Sequence, residues 1–243
     1  MVEIAPEIIF HIGPIPITNS LLTTWLVMIV LIALAYFAGK NIKKIPSGLQ
    51  NFAELVIETL QSTIENIAGD RTKLFFAFLA TFFIFIISCN YFGLLPGIGT
   101  IGFKEVHDGK EVLVPLLRSP NADLNLTLGL AIISVFLTHY FAVHLLGWKS
   151  YLGRFFSLNP VFLFVGILEI ISEFTKLISL SFRLFGNIFA GEALLTTISG
   201  IFAFFAPLPF MGLELLVGFV QATVFMMLTL VFMSILSEKH EVH

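Results

Sequence analysis

The sequence predicts an all-α integral membrane protein of five membrane helices and one amphipathic surface helix, forming a single domain over residues 1–243. Three observations carry this. Only 12% of the residues are charged while 57% are hydrophobic, and a soluble domain carries roughly a quarter charged. Mean hydropathy is +0.97. Uncharged stretches long enough to cross a bilayer, which takes roughly 20 apolar residues in helix, recur along the chain. The 28 phenylalanines add apolar bulk suited to acyl chains. A net charge of −3 with no basic cluster argues against nucleic acid as a partner. The single cysteine, Cys89, excludes an internal disulfide and fits no metal-site spacing.

Residues 1–20 contain Pro6, Pro14 and Pro16 and no basic flank, so a cleavable signal is not expected and the first helix is expected to stay in the mature protein. No charge lies between Glu7 and Lys40, and residues 20–39 read as the first span. Lys73 and Lys104 bracket the second, expected over 74–95 with a stop at Pro96-Gly97. The third, 124–147, lies between Asp123 and Lys149. Pro160 opens a hydrophobic segment reaching Gly200, longer than one upright span, and after Pro207 and Pro209 a last one runs over 208–236.

Residues 47–69 differ. Leu49, Phe52, Val56, Leu60, Ile64 and Ile67 recur at helical spacing among Glu54, Glu58 and Glu65. This predicts an amphipathic surface helix. It lacks Lys and Arg, so packing along another subunit explains it at least as well as lipid headgroups do.

Basic residues set the orientation. With five spans, Lys40, Lys43, Lys44, Arg71, Lys73, Lys149, Arg154 and Lys239 share one side. The other side holds Lys104, Lys110 and Arg118, diluted by Glu105, Asp108 and Glu111. The N-terminus is therefore expected outside and the C-terminus in the cytoplasm. No repeat suggests the inverted halves of many secondary transporters.

The last two segments carry Glu169, Glu173, Lys176, Arg183, Glu192 and Glu214. A charge at mid-helix costs roughly 2.5–3.5 kcal/mol on insertion scales, so intramembrane charges mark pathways, pair networks or partner-facing surfaces. At about 100° per residue, Glu169, Lys176, Arg183 and Asn187 form one polar stripe, with Glu192 about 180° from Arg183. Depth sorts them further into two polar routes. The outer is lined by Asn187, Glu192, Glu214 and Gln221; the inner is lined by Glu169, with Glu173 and Lys176. Arg183 lies between. A guanidinium stays protonated, so it repels a passing cation and attracts a carboxylate on a neighbour. The first three spans carry no such acid, which points to a partner subunit. Plainer readings stand beside these: Arg183 snorkelling or paired internally, Lys176 snorkelling, Glu173 capping the inner interface, and Asn187 and Gln221 as interhelical glue. Glu192 and Glu214 read as two unpaired acids in one leaflet. His139 and His144 read as structural residues of the third span's inner half.

Residues 179–192, SLSFRLFGNIFAGE, resemble the signature of subunit a of the F-type ATP synthase. PNADLN at 120–125, Asn159-Pro160, QATVFMMLT from Gln221 and the SEKH ending follow in the family's order, and the resemblance covers nearly the whole chain. It implies an ion-translocating stator subunit with two offset proton half-channels beside a ring of c subunits, and a long tilted hairpin formed by the last two helices. It implies that Arg183 faces the ring carboxylate and blocks leak. Asn187, Glu192 and Gln221 would then line the outer half-channel, Glu169 and Lys176 the inner, with Asp123 and Asn125 near the outer mouth. Helix 47–69 would meet the peripheral stalk of b subunits. The chain shows no phosphate-binding glycine loop, so ATP chemistry belongs to other subunits of the complex and no cofactor is expected here. Gly191-Glu192 looks bacterial, implying a bacterial plasma membrane. Glu214 departs from relatives that carry histidine there, making two acids that titrate as a coupled pair. The competing expectations are a stand-alone transporter or channel, and a structural scaffold.

Overall fold

In a computed structural model, the protein is described over residues 6–40, 42–95, 98, 101–107, 110–155, 160–201 and 207–238. The stop expected at Pro96-Gly97, Asp108, Asn159, Lys239 and the turn at 202–206 lie outside the described residues. The fold is helical, as backbone in hydrocarbon must satisfy its own polar groups. Two small antiparallel hairpins are additions that the sequence did not announce. The first pairs β1 (Ile8–Ile12) with β2 (Ile15–Thr18); the second pairs β3 (Gly102–His107) with β4 (Lys110–Pro115).

Helix α1 (Asn19–Gly39) starts at Thr18, whose Oγ1 accepts from the Leu21 N–H at 3.3 Å. Its first turns are polar and buried: Asn19, Ser20, Thr23 and Thr24. Beyond them it is apolar and exposed, as at Ile29, Ile32 and Phe37, suiting lipid. Helix α2 (Leu49–Ala68) is bracketed by Gly48 at φ 59° and Gly69 at φ 55°, left-handed positions that glycine takes without Cβ strain. Its apolar stripe splits in two. Val56, Leu60, Ile64 and Ala68 pack into the core, while Leu49, Phe52 and Leu55 stay exposed.

Helix α3 (Thr72–Gly93) packs most extensively against α7 (Pro207–Leu236), and Phe75, Leu79 and Ile86 are fully buried between them and their neighbours. Helix α4 (Leu124–Leu146) is capped by Asp123, whose Oδ1 accepts from the Asn125 N–H at 2.9 Å, and ends at Gly147 with φ 80°. A short helix, α5 (Trp148–Phe155), turns the chain toward α6 (Pro160–Ile201). Gly166 lets α6 press on the end of α5, since a Cβ there would overlap the Phe155 carbonyl. The core lies where α3 and α7 meet α2, α4 and α6, around Leu184, Phe225, Met226, Leu230 and Met233.

Hydroxyl pairs tie the helices together in the bundle interior. Ser134 and Thr229 lie 2.8 Å apart between α4 and α7, and Thr127 and Ser181 lie 3.3 Å apart between α4 and α6. Among the described residues, four helical stretches are long and apolar enough to cross a membrane: Asn19–Gly39, Leu49–Gly93, Leu124–Leu146 and Pro207–Leu236. Helix α6 is not among them. It runs 42 residues, about 63 Å at 1.5 Å per residue, against a hydrocarbon core of about 30 Å, and it carries most of the intramembrane charges.

Candidate functional site

The site is built on α6, and burial fixes which way each side chain faces. Leu180, Ser181, Leu184 and Ile188 are buried against the bundle. Arg183, one position from Leu184 and about 100° around the helix, is exposed on the outer surface of the bundle. Its Nη2 donates to Ser179 Oγ at 3.3 Å, one turn earlier on the same face. No carboxylate among the described residues lies within ion-pairing distance of the guanidinium. An open cavity of about 180 Å³ starts there, lined by Arg183, Ser179, Lys176, Thr175 and Ser172 from α6 and by Leu228 and Phe232 from α7.

One turn beyond Arg183, α6 and α7 are joined by a hydrogen bond from Asn187 Nδ2 to Gln221 Oε1 at 2.7 Å. Gln221 is buried, and two turns earlier on α7 Glu214 is also buried, at 7% exposure. Glu214 fits because residue 191 is glycine: a Cβ there would overlap Glu214 Oε1. Glu192 is the next residue, and its Oε2 lies 3.6 Å from Arg118 Nε. Arg118 belongs to the segment leading into α4. Its backbone N–H donates to Thr23 Oγ1 at 3.2 Å, which anchors it to α1. The two acids were expected unpaired. The structure corrects this: Glu192 has a cation, brought in by a segment distant in sequence.

The same segment closes the end of the bundle. Gly93 permits its approach, since a Cβ there would overlap Ser119. Asn121 Nδ2 donates to Asn90 Oδ1 at 2.7 Å, and Asn90 Nδ2 donates to the Gly218 carbonyl at 2.9 Å. Asp123 Oδ2 accepts from Ser20 Oγ at 2.5 Å. Asp123 thus caps α4 and ties it to α1. Among the described residues, Glu214 Oε2, Gln221 Nε2, Ser119 Oγ and Asn121 Oδ1 are buried polar atoms with no hydrogen-bond partner. Such atoms concentrate where ordered water enters a fold.

Toward the other end of α6 lies a second cluster. Lys176 Nζ donates to Glu173 Oε1 at 2.7 Å and sits 4.7 Å from the centroid of the Phe232 ring. Glu173 Oε2 lies 3.6 Å from His139 Nε2 on α4, and His139 Nδ1 lies 2.9 Å from the Tyr151 hydroxyl on α5. Glu169, half-buried one turn before Glu173, acts electrostatically on the same histidine.

The structure therefore brings Asn187 to Gln221, Glu214 to Gly191 and Glu192, and Glu173 to Lys176. It leaves Arg183 facing outward between the two groups. Sequence reasoning missed Arg118, His139 and Tyr151 as members. Arg118 stands two residues before the PNADLN motif, a proximity that could have flagged it; nothing in sequence ties His139 to Tyr151.

A family model described as the ATP synthase A chain matches residues 21–234. ATP synthase subunit a of Moorella thermoacetica is 34% identical over 234 residues, covering 96% of this chain and 97% of that protein. ATP synthase subunit a 2 of Bradyrhizobium sp. is 33% identical, covering 93% and 91%. ATP synthase subunit a of Legionella pneumophila is 32% identical, covering 96% and 92%. The chain thus belongs to the ATP synthase A chain family, a multi-pass membrane-sector stator subunit of the F-type complex whose ATP chemistry is carried out by other subunits.

Proposed function

We propose that α6 and α7 form two offset proton half-channels against a ring of c subunits, with Arg183 between them. The observation that carries this reading is the outward-facing Arg183, which has no carboxylate in ion-pairing reach among the described residues. A permanent cation in hydrocarbon is costly without a counter-charge, and a ring carboxylate passing this face supplies one. The cation also turns back a proton taking the short route, so net flow requires the ring to turn.

The outer route runs past Asp123, Glu192, Glu214, Gln221 and Asn187. The polar atoms of Glu214 and Gln221 that are buried without a partner among the described residues support it, since a water taken up there would conduct protons. The inner route runs from the cavity below Arg183 along Lys176, Glu173 and Glu169. Protons are driven by the transmembrane potential, about 2.3 kcal/mol per charge per 100 mV. The exposed Leu49, Phe52 and Leu55 on α2 support docking of peripheral-stalk b subunits. Five spans are proposed, α6 included, with the N-terminus outside and the C-terminus in the cytoplasm, in a bacterial plasma membrane.

Cross-linking tests the ring assignment. Ile178 and Phe182 are exposed near Arg183, and cysteines introduced there are expected to form disulfides with mid-membrane cysteines of c subunits. Cross-links to lipid-facing reagents alone would remove the ring from this face. A stand-alone channel would instead move protons as the purified chain in vesicles, and a pure scaffold would tolerate Arg183→Lys.

A further inference from the structure

His139 on α4 meets both α5 and α6. Its Nδ1 lies 2.9 Å from the Tyr151 hydroxyl, and its Nε2 lies 3.6 Å from Glu173 Oε2. The other carboxylate oxygen, Glu173 Oε1, accepts from Lys176 at 2.7 Å, and Lys176 lines the cavity that begins at Arg183. The carboxylate therefore lies between the histidine and Lys176, which lines the cavity. The His139 side chain is 26% exposed, so part of its ring is left uncovered by the described helices. Among the described residues, the charged and titratable groups facing it are Tyr151 from α5 and Glu173, Lys176 and Glu169 from α6. On its own helix, His144 stacks on Tyr140.

We propose that His139 is the proton-holding group at the end of the inner route, taking the proton from Glu173 and releasing it to water. This rests on the inner-route reading above. The O–H bond on Glu173 Oε2 breaks and an N–H bond forms at His139 Nε2. The imidazolium then turns its Nε2–H away from Glu173 toward water, releases that proton there and returns neutral with Nδ1–H kept. The separation of 3.6 Å is closed by a side-chain rotation. Tyr151 acts as a positioning residue: its hydroxyl accepts from Nδ1–H, which leaves Nε2 as the bare nitrogen turned toward Glu173. Lys176 stays on Oε1, holds the carboxylate in place, and its charge on the cavity side favours departure of the proton toward the ring nitrogen.

The test uses the whole complex in inverted membrane vesicles, with ATP-driven acidification followed across the imidazole range, about pH 5–8. His139→Gln still hydrogen-bonds Tyr151 but carries no proton. It is expected to lower pumping about tenfold, with added imidazole restoring most of the rate. Unchanged pumping overturns the proposal, as does a loss that imidazole leaves untouched, which marks a structural role. Where His139→Gln fails to assemble, Tyr151→Phe decides. It is expected to slow pumping about threefold and to displace the pH profile, and a wild-type profile overturns the proposal. Arg183→Ala measured alongside separates the two levels. Normal pumping by that variant sinks the half-channel reading itself; its failure together with a wild-type His139→Gln sinks only the histidine's role.

Discussion

Glu192 on α6 meets Arg118 from the segment before α4, Oε2 to Nε at 3.6 Å. The pair joins the long helix to the segment that closes one end of the bundle. It also makes the acidic group a triad of Arg118, Glu192 and Glu214, in which the two acids are not equivalent.

Glu192→Gln removes the carboxylate that Arg118, a cation at 9% exposure, meets on α6, whereas Glu214→Gln removes an acid with no cation in ion-pairing reach among the described residues. Breaking a buried pair from one side costs about 3–5 kcal/mol. Glu192→Gln should therefore slow ATP-driven pumping more than Glu214→Gln, with the double change slower than either. Arg118→Gln should resemble Glu192→Gln. Equal and independent effects of the two acids in vesicle assays would contradict the triad.

Gly191 is where α6 and α7 come close enough for Glu214 to lie against the α6 backbone. Gly191→Ala should force the Glu214 carboxylate aside at a cost of about 1–3 kcal/mol, seen as slower pumping in an assembled complex. Shortening the acid, Gly191→Ala with Glu214→Asp, should recover part of the rate. If the double variant is slower than the single one, the contact is not what sets the rate.

The bond between Asn187 and Gln221 at 2.7 Å should show as coupling between the two positions. Asn187→Leu and Gln221→Leu are each expected to lower the pumping rate, and the double variant to do little more than the worse single. The expected coupling is about 0.6 kcal/mol, the usual size for hydrogen bonds between membrane helices. Strict additivity in the cycle would mean that the two side chains act separately.

Asn90 bridges the Gly218 carbonyl and Asn121. Asn90→Leu should cost about 1–3 kcal/mol by stranding both partners, read as reduced complex in membranes at raised temperature. Wild-type heat tolerance would mean that this network is not structural.

The all-helical membrane class was legible because charges are scarce and spaced by long apolar runs. The polar face of α6 was legible because helical spacing alone brings Lys176 beside Arg183. Spacing also sets Glu192 apart, about 180° from Arg183. What spacing could not give was its partner, since Arg118 arrives through a connection and α4. The pairing of His139 with Tyr151 depends likewise on how α5 folds back against α4. The β3–β4 hairpin was hidden by its setting: its short strands alternate only over a few residues, as at Lys104 opposite Leu113 and Glu105 opposite Val112, within a connection flanked by glycine and proline. On α2, periodicity identified an apolar stripe but not that only part of it packs on its own chain.

On the reading proposed here, Arg183 confronts an acid supplied by a neighbouring subunit and keeps two proton routes apart. ATP-driven acidification of inverted vesicles carrying Arg183→Ala tests it most directly, with assembly checked on the same membranes. The account predicts a normally assembled complex that pumps no protons; a complex that assembles and pumps at the wild-type rate would contradict it.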